Sequence, residues 1–226
     1  LAEHPLPPKP KQLFIATILI IIPTLLIAKQ PPPGTALLVA SSGAGVLFFA
    51  GLSWRFILAI IAALGSLTPI LWHFMHGYQR DRVNVFLGIT EDPLGAGYHV
   101  LQSKIAIGSA GLFGRGYLQG TQSQLDFVPE KHTDFILTIL GEEWGFAGLL
   151  VLLGLYALLL VMMLSMAWRC QHRFGRMLVA GVTVSLFVYV FINVAMVTGL
   201  VPVVGIPLPL VSYGGTSMIT LMGGLG

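Results

Sequence analysis

The chain has 226 residues, 55% of them hydrophobic and only 9% charged, with 12 Lys and Arg against 9 Asp and Glu for a net charge of +3. Soluble domains carry roughly 25% charged residues, so an ordinary globular fold is excluded; disorder, which needs low hydrophobicity, and a disulfide scaffold fall with it, since Cys170 is the only cysteine. The charge is too small to point to nucleic acid, which leaves an integral membrane protein.

A spanning helix takes roughly 20 mostly apolar residues. Leu13–Ala28, opening after Lys9 and Lys11, suffices with its flanks, and Pro23 inside it predicts a kink. Gln30-Pro31-Pro32-Pro33-Gly34 turns the chain, because stacked prolines cannot continue a helix. Thr35–Gly51 is a second span, and its small residues Ala40 to Gly45 would let another helix approach closely, within this chain or from a partner. Phe56–Trp72 is a third. Residues 73–133 then form a long loop, of a length more often functional than connective. Within it, Tyr98–Ala110 reads as a short amphipathic helix, with Val100, Leu101, Ile105 and Ile107 mainly on one side.

Asp134–Leu164 has helical character over roughly 46 Å at 1.5 Å per residue, against a hydrocarbon core of roughly 30 Å. Phe146–Leu164 is enough to cross, so Asp134–Gly145 projects into the headgroup region or lines a protein cavity. Met177–Leu200 is a fifth span, Val201–Gly215 with Pro202, Pro207 and Pro209 is a loop, and a sixth span begins after it. The fold class expected is an all-α polytopic membrane protein, one membrane domain over residues 1–226, with the 73–133 loop on its outer side. The chain opens Leu1-Ala2-Glu3 and stops at Gly226 inside an apolar run, which reads as a piece of a longer protein. Orientation follows from Lys and Arg in short loops: six lie in residues 1–12, 52–55 and 165–176, and only Lys29 in the short connections opposite. That puts 73–133 and 201–215 outside.

The polar chemistry is gathered in one place. Eight of the 9 acids and four of the 6 histidines lie between His73 and Glu143. Asp134 opens the over-long helix. Its carboxylate could take a proton from a hydroxyl, or it could simply cap the helix, where its charge suits the dipole. Glu130 shares a face with it if the helix already starts at Pro129, and Glu142 lies near that face. Glu142 and Glu143 read either as solvated interfacial acids or as acids facing a membrane cavity. His132 could join Glu130 and Asp134 around a metal, but no second histidine stands at a ligand spacing, which favours a role in orienting substrate or loop.

The motifs as they stand are Asp92-Pro93-Leu94-Gly95-Ala96-Gly97-Tyr98-His99, Gln102-Ser103-Lys104-Ile105-Ala106-Ile107-Gly108-Ser109, Gly120-Thr121-Gln122-Ser123-Gln124, Pro129-Glu130-Lys131-His132-Thr133-Asp134-Phe135, Gly141-Glu142-Glu143, and Gly205-Ile206-Pro207-Leu208-Pro209-Leu210-Val211-Ser212-Tyr213-Gly214-Gly215. With the hydropathy pattern they resemble the SEDS family (shape, elongation, division and sporulation), on its RodA-like side. The resemblance covers essentially the whole chain. It departs at Pro32-Pro33, where the family usually has Asp-Leu.

The resemblance implies a fold of about ten spans, of which this chain would hold the last six. It implies a peptidoglycan glycosyltransferase in the bacterial cytoplasmic membrane, its active site facing outward, polymerising lipid II for elongation and rod shape beside a class B penicillin-binding protein. Asp134 would be the catalytic base of an inverting reaction, with Glu130, His132 and Glu142 around the substrate. Lys104 and Arg115 would meet the lipid pyrophosphate, with a divalent cation as a third candidate and no other cofactor implied. Gly108, Gly111, Gly114 and Gly116 around Arg115 would let backbone N–H groups approach an anion, or would only make the loop flexible. Ser212 and Tyr213 would line the cavity, or merely start a helix. A lipid II flippase and a non-catalytic scaffold for the crosslinking enzyme remain the alternatives.

Overall fold

The computed structural model of the chain describes residues 10–28, 33–52, 62, 65–66, 72–73, 77–90, 95–120, 133–213 and 222–223. Among these, all regular structure is helical: α1 (Pro10–Ala28), α2 (Pro33–Phe49), α3 (Gly77–Phe86), α4 (Ala96–Ser109), α5 (Ile136–Arg169) and α6 (Arg173–Val197). Residues 29–32, most of the expected third span and most of the sixth lie outside the described residues; of the expected turn Gln30–Gly34 and the departure Pro32-Pro33, Pro33 and Gly34 are already in α2. Among the described helices, α5 and α6 are long and apolar enough to cross a membrane. Two compact units result, residues 1–80 with 162–188, and residues 81–161 with 189–226.

In the first unit, α1 and α2 are apolar helices of 19 and 17 residues that pack on each other. Helix α1 runs on through Pro23. Small residues allow the approach: a Cβ on Gly43 would stand 2.6 Å from the Ile20 side chain, and one on Gly45 would stand 2.4 Å from Val184 of α6. Ser185 Oγ donates to Ser42 Oγ at 2.8 Å. Ser42, Gly43 and Gly45 of the Ala40–Gly45 stripe are therefore used within the chain.

The second unit corrects the reading of residues 73–133 as a loop, because α3 and α4 lie within that segment. The amphipathic pattern at 98–110 predicted α4. Nothing predicted α3, whose sequence GYQRDRVNVF has no apolar stripe of its own; it takes tertiary support instead, with Arg82 Nη1 donating to the Val203 carbonyl at 3.2 Å.

Helix α5 runs 34 residues but breaks at Gly145, where φ is 68° and ψ −165°. A break leaves backbone donors and acceptors without intrahelical partners. The 110–118 loop supplies them: Phe146 N–H donates to the Gly111 carbonyl (3.0 Å) and Ala147 N–H to Leu112 (2.9 Å), while Arg115 and Gly116 N–H donate to the Glu142 and Glu143 carbonyls (3.0 Å each). Only glycine fits at the contact, since a Cβ on Gly145 would fall 2.2 Å from the Gly114 nitrogen and one on Gly114 would fall 2.1 Å from the Glu143 carbonyl oxygen. Before the break, Phe135, Leu137, Thr138, Glu142 and Glu143 are buried. The N-terminal end of α5 thus packs inside its unit.

Candidate functional site

Asp134 sits in the turn Thr133–Phe135, two residues ahead of α5. The shared helical face proposed for Glu130 and Asp134 required a helix from Pro129, and the helix instead begins at Ile136. Glu130 and His132 lie outside the described residues, as do two of the three groups considered for a metal; among the described residues no group of three such side chains is placed to hold one.

Three elements converge on Asp134. Its carbonyl accepts from Asn193 Nδ2 of α6 at 2.9 Å, and the same amide nitrogen donates to the Ile206 carbonyl at 2.7 Å. Its carboxylate approaches the 201–213 loop at Gly205, where φ is 75° and an added Cβ would meet Oδ2 at 3.3 Å. The loop is held in turn by Ser212, whose Oγ accepts from Leu208 N–H at 2.7 Å and donates to the Thr133 carbonyl at 2.6 Å. Tyr156 of α5 donates its hydroxyl to the Pro209 carbonyl. The turn that carries Asp134 is therefore fixed from both sides through main-chain atoms.

Asn193 is wholly buried, and with Nδ2 committed to two carbonyls its Oδ1 has no partner among the described residues. His99 Nδ1 on α4 is in the same position, its ring 6.3 Å from that of Phe135. Sequence reasoning missed both. The signal for Asn193 was present, since one amide in an otherwise apolar span is a site marker by default.

The remaining candidates separate. Glu142 is 0% exposed and Glu143 7%, which overturns solvated interfacial acids for both. Glu143 Oε1 accepts the N–H of Leu118 at 3.1 Å and holds that residue at φ 59°, a left-handed conformation that costs roughly 1–2 kcal/mol for a non-glycine. Arg115 is exposed, but the anion cradle proposed around it does not form, because the N–H groups of Gly114, Arg115 and Gly116 are committed to the carbonyls of Ala110, Glu142 and Glu143. Lys104 is exposed on α4 and lies over Gly199, where an added Cβ would come within 2.4 Å of Cε and Nζ. Beside it, Ser103 is buried and bonds Thr138 Oγ1 at 2.7 Å and the Val197 carbonyl at 3.1 Å, tying α4 to α5 and α6. Ser212 is a structural fastener in this geometry, whereas Tyr213 beside it is 84% exposed.

Residues 2–226 match the cell cycle protein family FTSW_RODA_SPOVE. The chain belongs to that family. This FtsW/RodA/SpoVE chain is 57% identical over 221 residues to the peptidoglycan glycosyltransferase MrdB of Escherichia coli K12, covering 97% of this chain and 60% of MrdB. It also matches a chain of a solved peptidoglycan synthase complex, in work on the structural coordination of polymerization and crosslinking, at 32% identity and TM-score 0.81 over 99% of this chain and 62% of that one. The crystal structure of the Thermus thermophilus rod shape determining protein RodA matches at 29% identity and TM-score 0.63, over 98% and 56%. The chain therefore spans about three fifths of the length of these FtsW/RodA/SpoVE relatives. Membership bears out the resemblance read from the motifs, and with α5 and α6 it makes this a membrane protein.

Proposed function

We propose that the whole protein is a peptidoglycan glycosyltransferase of the bacterial cytoplasmic membrane that polymerises lipid II for elongation and rod shape. Family membership supports the reaction class. The observation that carries the site assignment is the fixation of Asp134, whose carbonyl is bonded by a buried Asn193 and whose carboxylate abuts Gly205.

In this mechanism the Asp134 carboxylate takes the proton of the acceptor's 4-hydroxyl as that oxygen attacks the anomeric carbon of the donor. The new C–O bond forms as the bond from that carbon to pyrophosphate breaks, and the electron pair leaves on the phosphate oxygen. Attack opposite the leaving group inverts an α-linked donor to a β-1,4 linkage. Lys104 and Arg115 are the proposed counter-charges for the pyrophosphate, with a divalent cation as a further candidate. Glu130, His132, Glu142, Ser212 and Tyr213 are the proposed surroundings of the sugars, Ser212 acting through its hold on the Thr133 carbonyl.

The same reading gives the chain six of about ten spans, puts the 73–133 segment outside, and assigns a class B penicillin-binding protein as partner. A cysteine at Tyr117 should then react with an impermeant thiol reagent in intact cells and Cys170 should not; reversed labelling removes the orientation.

The decisive assay for the activity gives purified full-length protein lipid II in proteoliposomes and follows both glycan product and lipid movement across the bilayer. Glycan formation is expected. Translocation without product would replace the reading with a flippase, and neither would leave the scaffold.

A further inference from the structure

The second unit holds a cleft of about 210 Å³ lined by two cations, Arg82 of α3 and Lys104 of α4, and by the apolar side chains of Phe86, Leu101, Val201 and Pro202. We infer that this cleft holds the phosphate end of a lipid-linked pyrophosphate, with Arg82 as the second cation in place of Arg115. The inference rests on the glycosyltransferase reading and names the counter-charges for its leaving group.

Three observations support it. Both cations are seated by the same stretch of backbone: Arg82 donates to the Val203 carbonyl, and the Lys104 stem lies over Gly199, whose φ of 70° and lack of a Cβ make room for Cε and Nζ. A guanidinium has five donors and Nη1 serves Val203, so the fork retains donors for an anion. The walls are apolar, with Phe86 43% and Leu101 56% exposed, which suits an amphiphile better than a free anion. Finally, the loop joins cleft to base. Gly199 touches Lys104, and Gly205, six residues on, touches Asp134. At no more than ~3.6 Å per residue, the two contacts lie within about 22 Å. That is an upper bound set by chain length, and the pyrophosphate must lie well within it, because it is bonded to the anomeric carbon that the acceptor's hydroxyl attacks as Asp134 takes its proton. Arg115 is not among the residues lining the cleft.

The rival is purely structural: Lys104 sits just past the C-terminus of α6, where a cation suits the helix dipole, and Arg82 fastens Val203. The test uses the full-length protein in phosphatidylcholine nanodiscs with undecaprenyl pyrophosphate as probe, with melting temperature measured alongside. Arg82→Gln and Lys104→Gln should each weaken binding by about tenfold or more, the range for a lost charged hydrogen bond, while Arg82→Lys and Lys104→Arg keep most of it. Lys104→Gln, on an exposed residue, should do this with little change in melting temperature. Probe affinities within twofold of the parent in both glutamine variants overturn the assignment, and so does a fall in melting temperature alone. Competition by inorganic pyrophosphate as strong as by the lipid would show a site for free anion, and equal displacement by phosphatidylglycerol discs a site for any anionic lipid; either overturns it. Polymerisation of lipid II is measured in the same discs. A parent that makes glycan while both variants bind normally loses the cleft alone. A parent that binds the probe through Arg82 and Lys104 yet makes no glycan keeps the cleft and loses the glycosyltransferase.

Discussion

The two parts of α5 on either side of Gly145 present different surfaces. Ahead of the break, Thr138 and Glu142 are 2% and 0% exposed; beyond it, Val151 and Leu155 are 66% and 59% exposed. Polar groups are buried ahead of the break, and large apolar ones face outward beyond it. Past Phe146 and Ala147, whose N–H groups reach the 110–118 loop, the later part satisfies its own backbone, and lipid solvates its outward side chains. The earlier part has its ladder interrupted, so it borrows hydrogen bonds from the 110–118 loop and becomes a wall of the protein interior. Apolarity therefore marks where the chain meets lipid, while the site is marked by polar residues and by glycines that let backbones meet.

The comparison can be broken at the junction itself. Gly145→Ala puts a Cβ 2.2 Å from the Gly114 nitrogen at a positive φ. We expect a loss near the top of the range for single substitutions, about 4 kcal/mol, read as a fall in melting temperature in detergent. Unchanged melting would mean that the loop does not brace the break. Next, leucine truncation should separate the two parts. Leu137→Ala, at a residue 2% exposed, should cost about 3 kcal/mol, whereas Leu155→Ala, at 59%, should cost less than about 1 kcal/mol. Equal costs would contradict the assignment of lipid and protein faces. A smaller effect, about 2 kcal/mol, is expected for Asn193→Leu, which removes both bonds to the Asp134 and Ile206 carbonyls. Because those bonds hold the turn that carries Asp134, the proposed base, polymerisation should fall further than stability predicts; a loss of stability with normal turnover would reduce Asn193 to a packing residue.

The long apolar helices were legible because length and hydropathy report lipid contact directly, and α1, α2, α5 and α6 appear within a few residues of the expected spans, α5 apart from its break. Helix α4 was legible from its amphipathic period. Helix α3 was not, since a short polar helix is stabilised by contacts such as Arg82 to Val203 that have no local signature. The break at Gly145 was hidden because a glycine in an apolar run reads the same whether it is helical or at φ 68°. In the site, Asp134, Lys104 and Ser212 were picked out by motif. Asn193 could have been, as a lone amide in a span. Arg82 was counted only as a charge, and the anion cradle at 114–116 failed because sequence does not show that those N–H groups already have carbonyl partners.

The central claim is that Asp134, in the turn just ahead of the buried part of α5, is a general base. Asp134→Asn in the full-length protein keeps the shape and the carbonyl bond to Asn193 but cannot accept a proton, and general base catalysis is typically worth on the order of 10²–10⁴ in rate. Polymerisation of lipid II by the purified variant should fall by about that factor, with lipid II binding and melting temperature close to the parent, because proton removal helps only the transition state. A variant that melts lower by about 1 kcal/mol, as for a lost helix cap, and still polymerises above about a tenth of the parent rate would contradict the account.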